Sequence, residues 1–190
     1  SVFLKAKALE EEGKKIIHLE VGEPDFKPPE EVKTALAEVY DKGYGKYGSP
    51  KGITELRKEL IPHNEYMLRS SYSASIENIM ICPGARFAVY LAINTLLNPG
   101  DEIIVIEPAW PAYKDCALNA GIKVRTIKTT LETKWEPSID QINNVINENT
   151  KMIVLNYPNN PTGKILPRKL LDSIIQTAKE HDLYVLSDEI

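Results

Sequence analysis

Cysteine is nearly absent from this chain: two residues among 190, Cys82 and Cys116, cannot supply a disulfide framework. Cys82 lies in an apolar stretch expected as strand and Cys116 in one expected as helix. Both are therefore expected as buried free thiols in a reducing compartment rather than as a bridge or a metal pair. Basic clusters are missing too. No run of Lys or Arg exceeds two adjacent residues and the formal net charge is −4, which argues against a nucleic-acid or anionic-membrane surface as the main partner. Histidine is scarce, and His18 has no second His or Cys at ligand spacing, so it is expected as a packed or half-exposed ring, not a metal ligand. No apolar run approaches the roughly 20 residues that cross a bilayer. The opening SVFLKAKALEEEGKK mixes charges with its apolar residues and lacks a secretory core, so no membrane association and a cytoplasmic location are expected. What remains is an ordinary globular composition, 43% apolar and 26% charged, with neither repeats nor low-complexity segments.

The most informative stretch is Met152–Gly163, MIVLNYPNNPTG. Four apolar residues run into a segment whose prolines and glycine forbid both helix and ladder pairing, the mark of a buried strand that stops in a shaped loop. A continuous apolar run suits a parallel strand covered on both faces, and ligands of open α/β sheets bind beyond the carboxyl ends of such strands. Asn156, Asn159 and Asn160 would offer neutral donors and acceptors there, on a backbone fixed by Pro158 and Pro161. Taken alone, the loop serves equally well as a plain strand-to-helix turn.

In chain order, residues 2–12 have helical spacing and stop at Gly13; 14–21, with its run IIHLEV, reads as a strand. A helix is expected from Pro28-Pro29 to about Tyr40, with Glu30 and Glu31 matching its dipole. The turn-rich stretch 44–52 leads into a helix near Ile53, with Leu56 and Leu60 on one face, ended or kinked by Pro62; 70–75 reads as a loop. Thereafter strands at 79–82, 102–106, 123–127, 152–155 and 183–187 alternate with helices at 86–97, 113–120, 139–146 and 167–181. Alternating strands and helices imply an α/β fold with a mainly parallel sheet.

Several of these strands deliver distinctive residues to one edge. After 79–82 comes Pro83-Gly84-Ala85-Arg86, a helix start whose free N–H groups could cradle a phosphate. After 102–106 comes Trp110, after 152–155 comes Asn160, and the last strand ends in Asp188, whose natural partner would be a buried cation.

A phosphate cradle, an aromatic ring, an amide and a carboxylate at one sheet edge resemble the site of the class I/II, fold-type I, pyridoxal-phosphate-dependent aminotransferases. The motifs occur in the family's order: LEVGEPDF at 19–26, Tyr47-x4-Gly52-x3-Leu56-Arg57, PGA at 83–85, NPGDEIIVIEPAWPAY at 98–113, NYPNNPTG at 156–163 and SDEI at 187–190. The resemblance implies pyridoxal 5'-phosphate as cofactor, an L-amino acid and a 2-oxo acid as substrates, and a homodimer with shared sites. It implies a three-layer α/β/α domain, with residues 1–30 as an N-terminal arm and small-domain segment and 31–190 as the N-terminal part of the large cofactor-binding domain. Asp188 would lie against the pyridine nitrogen and Asn160 against the phenolic oxygen, with a cis bond to Pro161 frequent in the family. Trp110 would stack on the ring, and Gly84, Ala85 and Arg86 would lie at the phosphate. Tyr47 would reach the phosphate of the neighbouring subunit's site, and the Gly22 backbone would lie beside the substrate carboxylate, near Asn160 and Trp110. Arg86 replaces a smaller or uncharged residue, so its side chain is either a phosphate contact or helix surface.

The family's Schiff-base lysine and its carboxylate-binding arginine would lie beyond Ile190, so this chain alone is expected to be inactive. The same-fold alternative is a lyase or synthase on the same cofactor, and a different class is a non-catalytic module that keeps the cradle. The layout further implies that 79–82 and 183–187 each lack a strand partner within the chain, leaving four contiguous parallel strands with 79–82 standing apart.

Overall fold

The computed structural model describes residues 2–19, 22–43, 45–68 and 75–189, with the backbone alone for 63–68. Contacts divide the chain into two compact units, Ser1–Pro50 and Lys51–Ile190.

The first unit holds helices α1 (Val2–Glu11) and α2 (Glu30–Asp41). Gly13 and Gly43 end them with positive φ of 81° and 71°, a conformation glycine adopts without a Cβ penalty. Pro29 precedes α2, and Glu30 and Glu31 occupy its first turn, where the helix dipole favours negative charge. Of the strand expected at 14–21, residues 14–19 make no ladder, and Glu20 and Val21 lie outside the described residues. His18 is exposed and hydrogen-bonds through Nε2 to Glu10 Oε1 at 2.8 Å.

The second unit begins with α3 (Thr54–Leu68), which runs through Pro62 instead of ending there. Pro62 is exposed, so the carbonyl it leaves unpaired can turn to water. Among the described side chains of α3, Leu56 is 44% exposed and Arg57 is buried. Its guanidinium donates to the carbonyls of Ile79 (2.8 Å) and Ile76 (2.5 Å), the latter in the 3-10 turn Ile76–Asn78. Most of the loop expected at 70–75 lies outside the described residues.

Residues 79–82 are extended but belong to no ladder, and the Ile81 N–H donates instead to the Lys51 carbonyl at 3.0 Å. This is the separation from the sheet that the family's layout implies. Gly52 permits the approach: its φ is 97°, and a Cβ there would lie 2.5 Å from the Ile81 Cβ. An apolar groove lined by Ile79, Met80, Leu91 and Leu96 runs beside this segment.

The sheet comprises β1 (Glu102–Glu107), β2 (Lys123–Lys128), β3 (Thr150–Asn156) and β4 (Tyr184–Asp188), all parallel in the order β2-β1-β3-β4. α4 (Ala85–Leu96) precedes β1, and α5 (Ala112–Asn119), α6 (Ile139–Val145) and α7 (Arg168–Glu180) connect the successive strands. Side-chain alternation splits the core into two layers. Ile103, Val105, Met152 and Val154 pack with Val89, Ile93, Tyr113 and Ala117 of α4 and α5. Ile104, Ile106, Ile153 and Leu155 pack with Ile142, Ile174 and Ala178 of α6 and α7. The central strands are thus covered on both faces, which is why they read as unbroken apolar runs. Burying each such Ile or Val contributes about 1.5–3 kcal/mol. Ser138 starts α6 with a reciprocal cap, accepting the Gln141 N–H at 3.1 Å while Gln141 Oε1 accepts the Ser138 N–H at 2.9 Å.

At the amino edge of the sheet, Glu102 is 1% exposed. It accepts two hydrogen bonds from Arg125 (2.6 and 2.8 Å) and one from Asn147 (2.7 Å). The Arg125 hydrogen bond chiefly holds the Glu102 carboxyl below the usual carboxylate range. Cys116 is buried and Cys82 partly exposed, and both are free thiols. Among the described residues, no helix is long and apolar enough to cross a membrane, and no cluster of His, Cys, Asp and Glu could hold a metal.

Candidate active site

β1, β3 and β4 are parallel, so their carboxyl ends share one edge of the sheet. Glu107, Asn156 and Asp188 stand at those ends, the last two paired in register.

Asp188 is half-buried, and its Oδ2 accepts the Tyr113 hydroxyl at 2.5 Å. Tyr113 comes from the first turn of α5 and has no exposed surface. Burial first, then the hydrogen bond and charge of Asp188, push its ionisation far above the ordinary tyrosine range. It therefore stays a neutral donor and fixes one oxygen of the carboxylate. The Trp110 ring meets Tyr113 edge-on, with centroids 5.6 Å apart and planes at 84°. The Arg86 guanidinium lies over Trp110, 5.1 Å from the ring centroid. Arg86, Trp110, Tyr113 and Asp188 thus form one row of contacts.

Gly84 and Ala85 lead into this row. Gly84 is the N-cap of α4 with φ 92°, and no side chain caps the helix. The Ala85 and Arg86 N–H groups have no intrahelical acceptor and point towards the amino end, where an anion is favoured, while those of Phe87 and Ala88 donate to the Gly84 carbonyl.

Asn156 joins Asp188 to the following loop: its Nδ2 donates to the Asp188 carbonyl and its Oδ1 accepts the Asn160 N–H, both at 2.9 Å. The loop closes on Asn159, whose Oδ1 accepts from the Thr162 N–H (3.1 Å) and hydroxyl (2.7 Å), and whose Nδ2 donates to the Pro108 carbonyl at 3.2 Å. The Asn160–Pro161 bond is cis, as are Glu107–Pro108 and Tyr157–Pro158. Asn160 itself is exposed. Tyr157 is pushed up to about 12, by burial and then by the charge of Glu136, which pairs with Lys164 at 2.5 Å. Glu107 pairs with Lys114 on α5.

The structure thus gathers Gly84, Ala85, Arg86, Trp110, Asn160 and Asp188 at one end of the second unit. Gly22 and Tyr47 lie in the first unit, where both are exposed. Sequence reasoning assigned Tyr113 no role of its own. Its signal was available: a tyrosine two residues after Pro111 and at helical spacing from Cys116 and Ala117, on the apolar side of the helix, where a buried hydroxyl must find a partner. A carboxylate, an indole face, an amide and an uncapped helix start can together receive a flat ring that carries a cationic nitrogen and a phosphate.

Known proteins have the same architecture. Aspartate aminotransferase of Thermotoga maritima is 35% identical over 186 residues, covering 98% of this chain and 49% of the relative. Aspartate/prephenate aminotransferase of Thermus thermophilus is 36% identical over 192 residues, covering 100% and 49%. The crystal structure of the Thermotoga enzyme superposes with a TM-score of 0.92 at 34% identity, covering 98% of this chain and 49% of that one. Alanine aminotransferase of Pyrococcus furiosus gives 0.90 at 35%, covering 98% and 48%. The chain spans about half the length of the curated relatives it matches. The family model described as aminotransferase class I and II matches residues 14–190, and with the parallel sheet and its row of strand-end residues this establishes that the chain belongs to that family.

Proposed function

We propose that the protein carrying this chain is a transaminase that uses pyridoxal 5'-phosphate to move an amino group between an L-amino acid and a 2-oxo acid. The observation that carries this reading is the Asp188 carboxylate, held by Tyr113 at the end of β4 in line with Trp110 and Arg86. When bound, the cofactor supplies an electron-withdrawing pyridinium ring. Asp188 would keep the proton on the ring nitrogen, because a neighbouring negative charge favours the cationic form. Trp110 would cover one ring face and exclude water from it. Asn160 would hydrogen-bond the phenolic oxygen, and the open N–H groups of Ala85 and Arg86, presented by the turn at Gly84, would hold the phosphate.

Further parts of the reading rest on the family. A homodimer would bring Tyr47 to the neighbouring subunit's phosphate, and the Gly22 backbone would border the substrate carboxylate. Residues 1–30 would serve as arm and small-domain segment and 31–190 as part of the cofactor-binding domain; the compact division at Pro50 concerns packing rather than assembly. A cytoplasmic location accords with two free thiols. Aspartate is the amino donor favoured, because several relatives are named aspartate aminotransferases.

Amino transfer is the test. The protein that carries this chain, given L-aspartate and 2-oxoglutarate, should form L-glutamate and oxaloacetate, and Asp188→Ala should lower kcat by at least a hundredfold. Cofactor binding without transfer to any 2-oxo acid would overturn the reading.

A further inference from the structure

The amide of Asn156 is 4% exposed and uses both of its ends. One end donates to the backbone of Asp188 on the neighbouring strand and the other accepts from the backbone of Asn160 in the loop, each at 2.9 Å. Asn160 is exposed, so packing does little to fix it. The Asn159 hydrogen bonds shape the loop and tie it to Pro108 after β1, not to β4. Among the described residues, the side-chain hydrogen bonds that join this loop to the end of β4 are those of Asn156.

We propose that Asn156 is a positioning residue that couples Asp188 to Asn160, so that the two act on a bound ring as one unit. The inference rests on the cofactor reading above, in which Asp188 meets the ring nitrogen and Asn160 the phenolic oxygen. The chemistry requires an amide at this place. Aspartate could still accept the Asn160 N–H, but it would set a negative charge against the Asp188 carbonyl. Leucine, of similar shape, would leave a buried carbonyl and an N–H without partners.

The experiment is a double-mutant cycle read by binding of pyridoxine 5'-phosphate, which has the ring, phenol and phosphate but no aldehyde to react with stray lysines. Affinities are measured for Asp188→Ala, Asn160→Ala and the double variant, with Asn156 present and in an Asn156→Leu background. With Asn156 present, the double variant should lose at least fivefold less affinity than the product of the single losses. With Asn156→Leu the losses should multiply. A merely structural role would weaken every variant by one common factor and leave the coupling intact, which would overturn the proposal. Backbone hydrogen exchange without ligand gives a second readout. The Asn160 amide should exchange at least tenfold faster in Asn156→Leu while the β3 amides of Ile153 and Leu155 keep their protection, and an unchanged Asn160 rate would count against the coupling. If Asn156→Leu does not fold, Asn156→Ala, which also removes both side-chain hydrogen bonds, takes its place in both measurements. Absence of any binding to the unaltered protein, or binding unaffected by Asp188→Ala, would instead remove the cofactor reading and the proposal with it.

Discussion

The Tyr113 hydroxyl lies 2.5 Å from Asp188 Oδ2, joining the first turn of α5 to the last residue of β4 across 75 positions of sequence. The bond serves two ends at once: it satisfies a hydroxyl with no access to water, and it orients a carboxylate at the mouth of the site.

Alkaline stability should depend on this tyrosine. Its ionisation is raised in the folded state, so its contribution is complete below the unfolded value near 10 and is lost as pH rises towards the folded value. Tyr157, pushed up to about 12, acts in the same direction. Urea midpoints should therefore fall progressively above about pH 10. Tyr113→Phe should flatten that fall while costing about 1–3 kcal/mol at pH 7, from the lost bond to a charged acceptor. An equally steep alkaline fall in the variant would show that Tyr113 is not responsible.

Acid sensitivity should trace to Glu102. Its folded ionisation is depressed, chiefly by the Arg125 hydrogen bond, so the stabilisation is present above the unfolded value near 4.3 and is lost as pH falls through the folded one. Glu102→Gln should cost roughly 1.5–3 kcal/mol at pH 7 and lose less than the parent between pH 5 and pH 2. Denaturation midpoints across that interval measure both.

Gly52 should tolerate no side chain. Gly52→Ala combines a φ of 97° with a Cβ 2.5 Å from Ile81, so a loss of about 2–5 kcal/mol is expected. Gly84→Ala shares the positive φ but meets open space, and should cost about 1–3 kcal/mol. Thermal melts of the two variants should rank them in that order.

Arg86 is expected to report on Trp110. In a Trp135→Phe background, Arg86→Ala should shift the indole emission, because the guanidinium 5.1 Å from the ring centroid is removed. Its effect on stability should stay near 0.5–1 kcal/mol, the range of an exposed cation–π contact. Unchanged emission would mean that the contact is not kept in solution.

Much of the site was legible because apolar runs that stop at Pro or Gly mark strand ends, and parallel strands put those ends on one edge. β1 to β4 were located within about two residues by this reasoning, and Trp110, Asn160 and Asp188 with them. Periodicity could not reveal which polar side chains turn inward. Arg57 entered only as the last residue of the Tyr47–Arg57 motif, with no burial expected, yet it is buried and donates to the carbonyls of Ile76 and Ile79. Nor could it show that 79–82 would form no ladder, since composition registers a strand's preference for burial and not the presence of a neighbour. At Pro62 the sequence left a helix end and a kink open, and α3 does not end there, because an exposed turn lets water replace the lost bond.

The sheet's two outer strands differ in character. β2 alternates Lys123, Arg125 and Lys128 with its apolar residues, and such charges discourage a foreign strand from docking alongside. β4 at the opposite margin shows Tyr184 and Val185 to solvent and carries no basic residue along Tyr184–Asp188. Ladder growth from one molecule to the next would start there, along the same strand whose last residue carries the carboxylate of the site.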